Sequence, residues 1–237
     1  MKKVYVGIIT LVLFALNCNL IFSQEDNFIG NGGPIFGVIS LNLDSLNKSI
    51  SKAGFKEFDK NNGDSSIIVL TGGGGIGGTF KNRFGGYGLN GKITTTNGDK
   101  KATLVFSYGG FIYEKGIYKI DATKTDFSLG FLIGGGDISL ELEYAPYSNE
   151  FDSAILKAHT TFLEKSYFMI APRINIHQKL APFIGIDLSA EYLLGLDTFS
   201  SSWKTNNDET VSGPFSNIQV PVFSGRISFG FWKREFS

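Results

Sequence analysis

The sequence is short of the residues on which most site chemistry depends. Its 237 residues include one cysteine, Cys18, and two histidines, His159 and His177. Cys18 falls inside an N-terminal stretch laid out as an export leader. The chain expected after cleavage therefore has no thiol, which excludes a disulfide framework, a cysteine nucleophile and a cysteine metal site. The two histidines stand well apart, with no H-E-x-x-H helix and no G-x-S-x-G elbow, so neither a zinc-protease nor a serine-hydrolase arrangement is readable. No sign of charge dominates: Lys and Arg number 22 and Asp and Glu 22. Without a basic block, nucleic acid is excluded as a partner. Long hydrophobic runs are missing too. After residue 23 no stretch approaches the ~18 apolar residues of a membrane-spanning helix.

What is present begins with the leader. Lys2 and Lys3 give it a positive start, Val4 to Leu16 is mainly apolar, and Ser23 is small enough to precede a cut. Residues 1–23 are read as a signal peptide and 24–237 as one β domain. Loss of Lys2 and Lys3 leaves 20 basic against 22 acidic residues, a net charge of −2. An alternative is a lipoprotein with Cys18 as its lipidated N-terminus, although Ala15, Leu16 and Asn17 before it make a poor lipidation site. Glycine at 30 and phenylalanine at 22 are abundant beside only 6 prolines. Aromatic content of this order supplies burial and excludes a disordered chain.

Period-two alternation dominates the rest. Ile184, Ile186, Leu188, Ala190, Tyr192 and Leu194 alternate with Gly185, Asp187, Ser189 and Glu191. Ile170, Pro172, Ile174 and Ile176 do the same against Arg173 and Asn175, with a turn expected over His177 to Leu180. Such runs exceed the usual soluble strand of about five or six residues and match the nine to eleven of a membrane-crossing strand. Further strands are expected over Arg83–Thr96, Lys101–Tyr108 and Phe111–Ile120. The first two are joined at Asn97-Gly98-Asp99, and Gly109-Gly110 breaks or bulges the chain before the third. In Phe127 to Tyr144 the apolar parity changes from odd to even across Gly134, Gly135 and Gly136, which predicts a tight turn or bulge there. Gln24 to Pro34 is expected to be irregular and Ile35 to Leu41 a short strand. One segment has helical spacing. Leu43, Leu46, Ile50 and Ala53 share a face, which predicts a short helix near 45–53 capped by Asp44 and ended at Gly54.

Gly72, Gly74 and Gly77 match G-x-G-x-x-G after a strand-like run. The sequel to Gly91 is too glycine-rich to form the helix that would hold a pyrophosphate, so no cofactor is expected. The paired carboxylates Glu141 with Glu143, and Asp187 with Glu191, are read as a polar strand face rather than as a catalytic pair. On the clearest strands the charged residues Asp137, Glu141, Arg173, Asp187, Glu191 and Arg226 all oppose the apolar side. They are the candidates for a polar lumen face, with no catalytic, cofactor or metal residue assigned.

The alternating pattern from about residue 66 to 231, with its final strand Phe223–Phe231, resembles outer-membrane β-barrel proteins of Gram-negative bacteria. The Ile-Phe-Ser-Gln leader ending resembles that of Bacteroidetes. The resemblance implies an all-β antiparallel transmembrane barrel of about 8–10 strands with a short N-terminal helix, located in the outer membrane. Lipid would be its partner, and its role structural or a narrow transport or binding one, not enzymatic. The alternative is an exported soluble or surface-attached β-sandwich or stacked-sheet binding domain.

Overall fold

A computed structural model describes residues 29–60, 65–145, 159–197 and 202–232. The leader and the lipidation site at Cys18 lie outside them. Eight long strands make the wall: β1 (Ile29–Asn42), β2 (Ser65–Gly78), β3 (Arg83–Asn97), β4 (Lys100–Ile120), β5 (Thr125–Tyr144), β6 (His159–Ala181), β7 (Ile184–Leu196) and, after the short hairpin β8 (Ser202–Thr205) and β9 (Thr210–Ser212), β10 (Ile218–Trp232). Each wall strand pairs antiparallel with the next, and β10 pairs with β1, so the sheet closes on itself. The hairpin β8–β9 hangs from the top of β6.

The register fixes the size of the barrel. A path stepping across partners from Ile29 passes Gly78, Arg83, Glu114, Gly130, Arg173, Glu191 and Val222, then meets β1 again at Ile39, ten residues beyond its start. Eight strands with a stagger of ten give a tilt of about 40° and a radius of about 8 Å. That leaves room for side chains and little else.

The two ends differ. At one, the connections over residues 79–82, 121–124 and 182–183 are brief; we call this the turn end. At the other, the loop end, lie the β8–β9 hairpin and the helix α1 (Asp44–Lys52). Leu46 and Ile50 of α1, with Leu43 and Phe58 beside it, join the core formed by inward residues of the upper strands. Asn47 fastens the segment by accepting from the Phe58 N–H at 3.0 Å and donating to its carbonyl at 3.1 Å. Gly54 ends the helix at φ +80°. Asp44 is the first helical residue instead of the cap. Its N–H donates to Asn42 Oδ1, while its carboxylate takes Lys60 at 2.5 Å.

Several expected boundaries are corrected. β1 starts at Ile29, because Gly30, Gly32 and Gly33 lie in register against β2 and are not a loose leader. β4 passes through Gly109-Gly110 unbroken and slips only between Gly116 and Tyr118. β5 likewise runs straight through Gly134–Gly136. The side chains there keep their directions; what changes is which side is apolar. Below the glycines Leu129, Phe131 and Ile133 point outward, and above them Ile138 and Leu140 point inward into the core. The same inversion puts Leu193 of β7 inward, fully buried, above the inward Asp187 and Glu191. The lower barrel is apolar outside and, apart from Ile76, Ile112 and Leu132, largely polar inside, and the upper barrel has an apolar interior and a mainly polar outer face. Gly74 shows how tight the wall is, since a Cβ there would stand 2.3 Å from that of Tyr87.

Candidate functional site: a charge ladder inside the barrel

Three successive inward rungs of the lower barrel are polar. The first follows the register path already traced and holds Arg83, Glu114, Arg173 and Glu191. Two residues further toward the turn end come Ser128, Asn175, Ser189 and Ser224, which are mutual partners across β5, β6, β7 and β10. The third rung is Asp126, His177, Asp187 and Arg226. Each strand contributes one inward residue per rung, and the ionisable residues of each outer rung alternate between basic and acidic.

The neutral rung knits the charged ones together. Asn175 donates to Glu114 Oε1 at 2.8 Å and accepts from Arg173 at 2.8 Å; Ser189 also accepts from Arg173, at 2.9 Å. Ser128 donates to Glu114 Oε2 at 3.0 Å. His177 spans from rung to rung. Its Nδ1 lies 2.6 Å from Asp187 Oδ1 and its Nε2 2.9 Å from Glu114 Oε2. Both ring nitrogens face carboxylate acceptors, and a ring protonated on both would satisfy them. Asp187 is shared, its other oxygen accepting from Arg226 Nε at 2.7 Å, and Arg226 also donates to Asn31. Arg83 pairs with Asp126 at 2.7 Å. Tyr87 donates to Glu191 and lies beneath the Arg173 guanidinium, 5.1 Å from the ring centre. With His177 charged, four cations (Arg83, Arg173, His177 and Arg226) meet four carboxylates (Glu114, Asp126, Asp187 and Glu191). Each is buried, and pairing of this kind is what makes buried charge tolerable.

Of the candidates read from the sequence, Arg173, Asp187, Glu191 and Arg226 are in this ladder. Asp137 and Glu141 are not. They alternate with buried Ile138 and Leu140 on β5 and so point outward, above the level where the faces exchange character. The expected turn over His177–Leu180 is also corrected: β6 continues to Ala181, and Pro182 and Phe183 make the turn. Arg173 therefore stands opposite Glu191, and His177 opposite Asp187. Glu114, Asp126, Arg83, Tyr87 and His177 escaped the sequence reading. The inward parity of Arg173 and Asn175 continues to His177, and Glu114 shares the even parity of Ile112; both signals were legible.

The geometry holds charge and moves nothing obvious. The free space bounded by Tyr87, Arg173, His177, Asp187, Glu191 and Arg226 is about that of one water molecule. Above the ladder, apolar side chains and α1 fill the barrel. Among the described residues no group of three or more His, Cys, Asp or Glu is placed to hold a metal ion. Among the described residues no helix is long and apolar enough to cross a membrane.

No family model matches the sequence, and no curated protein sequence is similar to it. Among solved structures it is similar to Ail, the attachment invasion locus protein of Yersinia pestis, crystallised with the heparin analogue sucrose octasulfate. The identity is 11% over 88% of this chain and 99% of that one, with a TM-score of 0.42. It is similar to Neisserial surface protein A at 8% identity over 86% and 97% of the two chains, with a TM-score of 0.43. The translocator domain of the autotransporter NalP from Neisseria meningitidis follows at 10% identity over 97% and 96%, with a TM-score of 0.19.

Proposed function

We propose that the chain is an integral outer-membrane β-barrel that anchors and presents a binding surface, with no catalytic or conducting role. One observation carries this reading: large exposed apolar side chains come from all eight wall strands, among them Phe36, Val69, Phe84, Phe111, Leu129, Ile174, Leu188 and Phe223. On β7 the outward apolar run Ile184–Leu194 covers ten residue steps. At a tilt of about 40° this is about 25 Å along the barrel axis, the height of the lipid-facing band of such barrels. A soluble sandwich would leave sheet edges and would not ring itself with exposed apolar surface. Residues 1–23 serve in this reading as the export signal. Substrate passage is disfavoured by the filled lumen, which leaves a structural or binding role.

Fractionation tests it. The chain should stay with outer membranes through a high-salt wash and need detergent for release. Unheated, it should migrate on a denaturing gel at a position different from that of the boiled chain. Recovery in the soluble periplasmic fraction would overturn the proposal.

A further inference from the structure

One face of the apolar band is almost bare of side chains. On the outer surface Gly32 of β1 lies in register with Gly75 of β2, which pairs with Gly86 of β3, and Gly73 of β2 lies in register with Gly88 of β3. Gly77 continues the patch toward the turn end. These glycines alternate with the buried, inward Asn31, Ile76 and Tyr87, so they face out. A strand glycine marks a bulge, a sharp bend or the close approach of something else. The register of β2 with β3 is continuous from Thr71 to Gly78, which removes the bulge. The wall does not require glycine at every one of these positions either. A Cβ at Gly88 would meet no described atom within 4 Å, and one at Gly73 only the Gly33 carbonyl at 3.4 Å. The floor is smooth toward the outside, where the barrel itself makes no demand.

Two features border this floor. Beside it, on β3 to β5, Phe84, Phe111, Tyr113 and Phe131 form an outward aromatic ridge. Ring centres are 5.2 Å apart for Phe84 and Tyr113, 6.0 Å for Phe84 and Phe111 and 5.6 Å for Tyr113 and Phe131. Above the floor stand the register partners Thr71 and Asn90, both polar and exposed. Val69, 61% exposed, lies beyond Thr71 on the same strand, so Thr71 is inside the apolar band and not at its rim. A polar group at that height is met better by another polar group than by an acyl chain.

We propose that the outer face of β1–β4 is a homodimer interface, in which a second copy of this chain lays its aromatic ridge on the glycine floor about a two-fold axis along the membrane normal. The inference rests on the membrane reading above and adds a partner and a face. The surface complements itself in the way a two-fold requires. Allowing for the stagger of the strands, Phe84, Tyr113 and Phe111 stand at the same heights as Gly32, Gly75 and Gly73. An axis running between β2 and β3 therefore brings each ridge onto the floor of the other copy, and Asn90 of one copy to Thr71 of the other. Lipid tails are as apolar as the wall, so association within a bilayer comes from close packing over small residues and from polar pairs. A contact about 30 Å tall and about 15 Å wide takes about 450 Å² from each copy. The pair then approaches the ~1,000 Å² of a specific interface.

The test uses the full chain in its own membranes and after extraction in mild detergent. A Cys18→Ser background makes any introduced cysteine the sole thiol. Thr71→Cys, beside the axis, should form a disulfide between copies under mild oxidation, and Leu188→Cys on the far wall should not. Native mass spectrometry of the wild-type extract should give a dimer. The double variant Gly73→Leu with Gly88→Leu fills the floor from outside; it should fold, as read by heat modifiability, and lose at least tenfold in dimer fraction. Ala190→Leu on the far wall should leave that fraction unchanged. Should the glycine variant not fold, Phe84→Ala with Phe111→Ala removes the ridge instead, with a severalfold loss expected. A wild-type monomer in the membrane, whether lipid, another protein or the chain's own ends cover the floor, would overturn the proposal. So would equal cross-linking at residues 71 and 188, or an undiminished dimer in either folded double variant. Each of these leaves the membrane reading intact, whereas recovery of the chain in the soluble fraction would overturn that reading itself.

Discussion

Asp187 is the residue on which the ladder most depends. It accepts from His177 through one oxygen and from Arg226 through the other, so Asp187→Ala strands two buried cations at once. Uncompensated burial of this kind costs about 3–5 kcal/mol, and urea unfolding in lipid or detergent should show a loss of that order. A double-mutant cycle on Asp187 and Arg226 should give a coupling above about 1 kcal/mol. The Asp187 and Arg173 cycle should give clearly less, because those two meet only through His177, Glu114 and Asn175. Equal couplings would mean that the ladder behaves as a diffuse charge cloud and not as specific pairs. The sequence showed the faces of Arg173 and Asp187 but not their partners. The five residues His177–Ala181, which β6 adds before the turn at Pro182, set the register, and nothing in the alternation of the strand announces where it stops.

Strands were legible where one face is apolar along their whole length, and misread where the two faces exchange character. β7 and the lower part of β10 followed from alternation alone. β5 did not, because Ile138 and Leu140 continue an inward parity that Ser128 and Gly130 began as polar or small. A change of surroundings along a straight strand looks the same in sequence as a bulge. Substitutions should separate the two halves. Leu188→Arg, outward in the apolar band, should cost about 2–4 kcal/mol on insertion. Asp137→Asn, outward above it, should stay within about 0.5 kcal/mol. A comparable loss at both sites, read by folding into vesicles, would contradict the exchange of faces. The glycine run of β2 reads as strand for a local reason. Gly74→Val should prevent folding because its side chain would overlap Tyr87, whereas Gly88→Ala has open space around its Cβ and should fold; a heat-modifiability gel distinguishes them. At α1, Asn47→Ala removes both bonds to Phe58 and leaves its buried N–H and carbonyl unsatisfied, at a cost of about 1–3 kcal/mol in the unfolding transition.

For the whole molecule, a ten-residue stagger around eight strands, a charge-paired lumen and a capped upper core together predict an electrically silent barrel. Planar-bilayer recordings of the refolded protein should show no steady conductance above that of the bare lipid. Regular channel events from wild type would mean that the ladder opens as a unit.

The exchange of faces has a mechanical consequence. Beyond Phe168 the outward face of β6 is polar apart from Phe162, and the strand continues to His159, still paired with β5 throughout. Those nine further residues are hydrogen-bonded sheet, packed on the inward side at Lys165 and Tyr167 and open at His159 and Thr161, and they rise about 20 Å beyond Phe168 at the tilt of the barrel. In the proposed membrane setting the extension would act as a pedestal: whatever meets its tip would do so at a standoff from the bilayer set by the strands, and a pull or push there would reach the apolar band through continuous sheet.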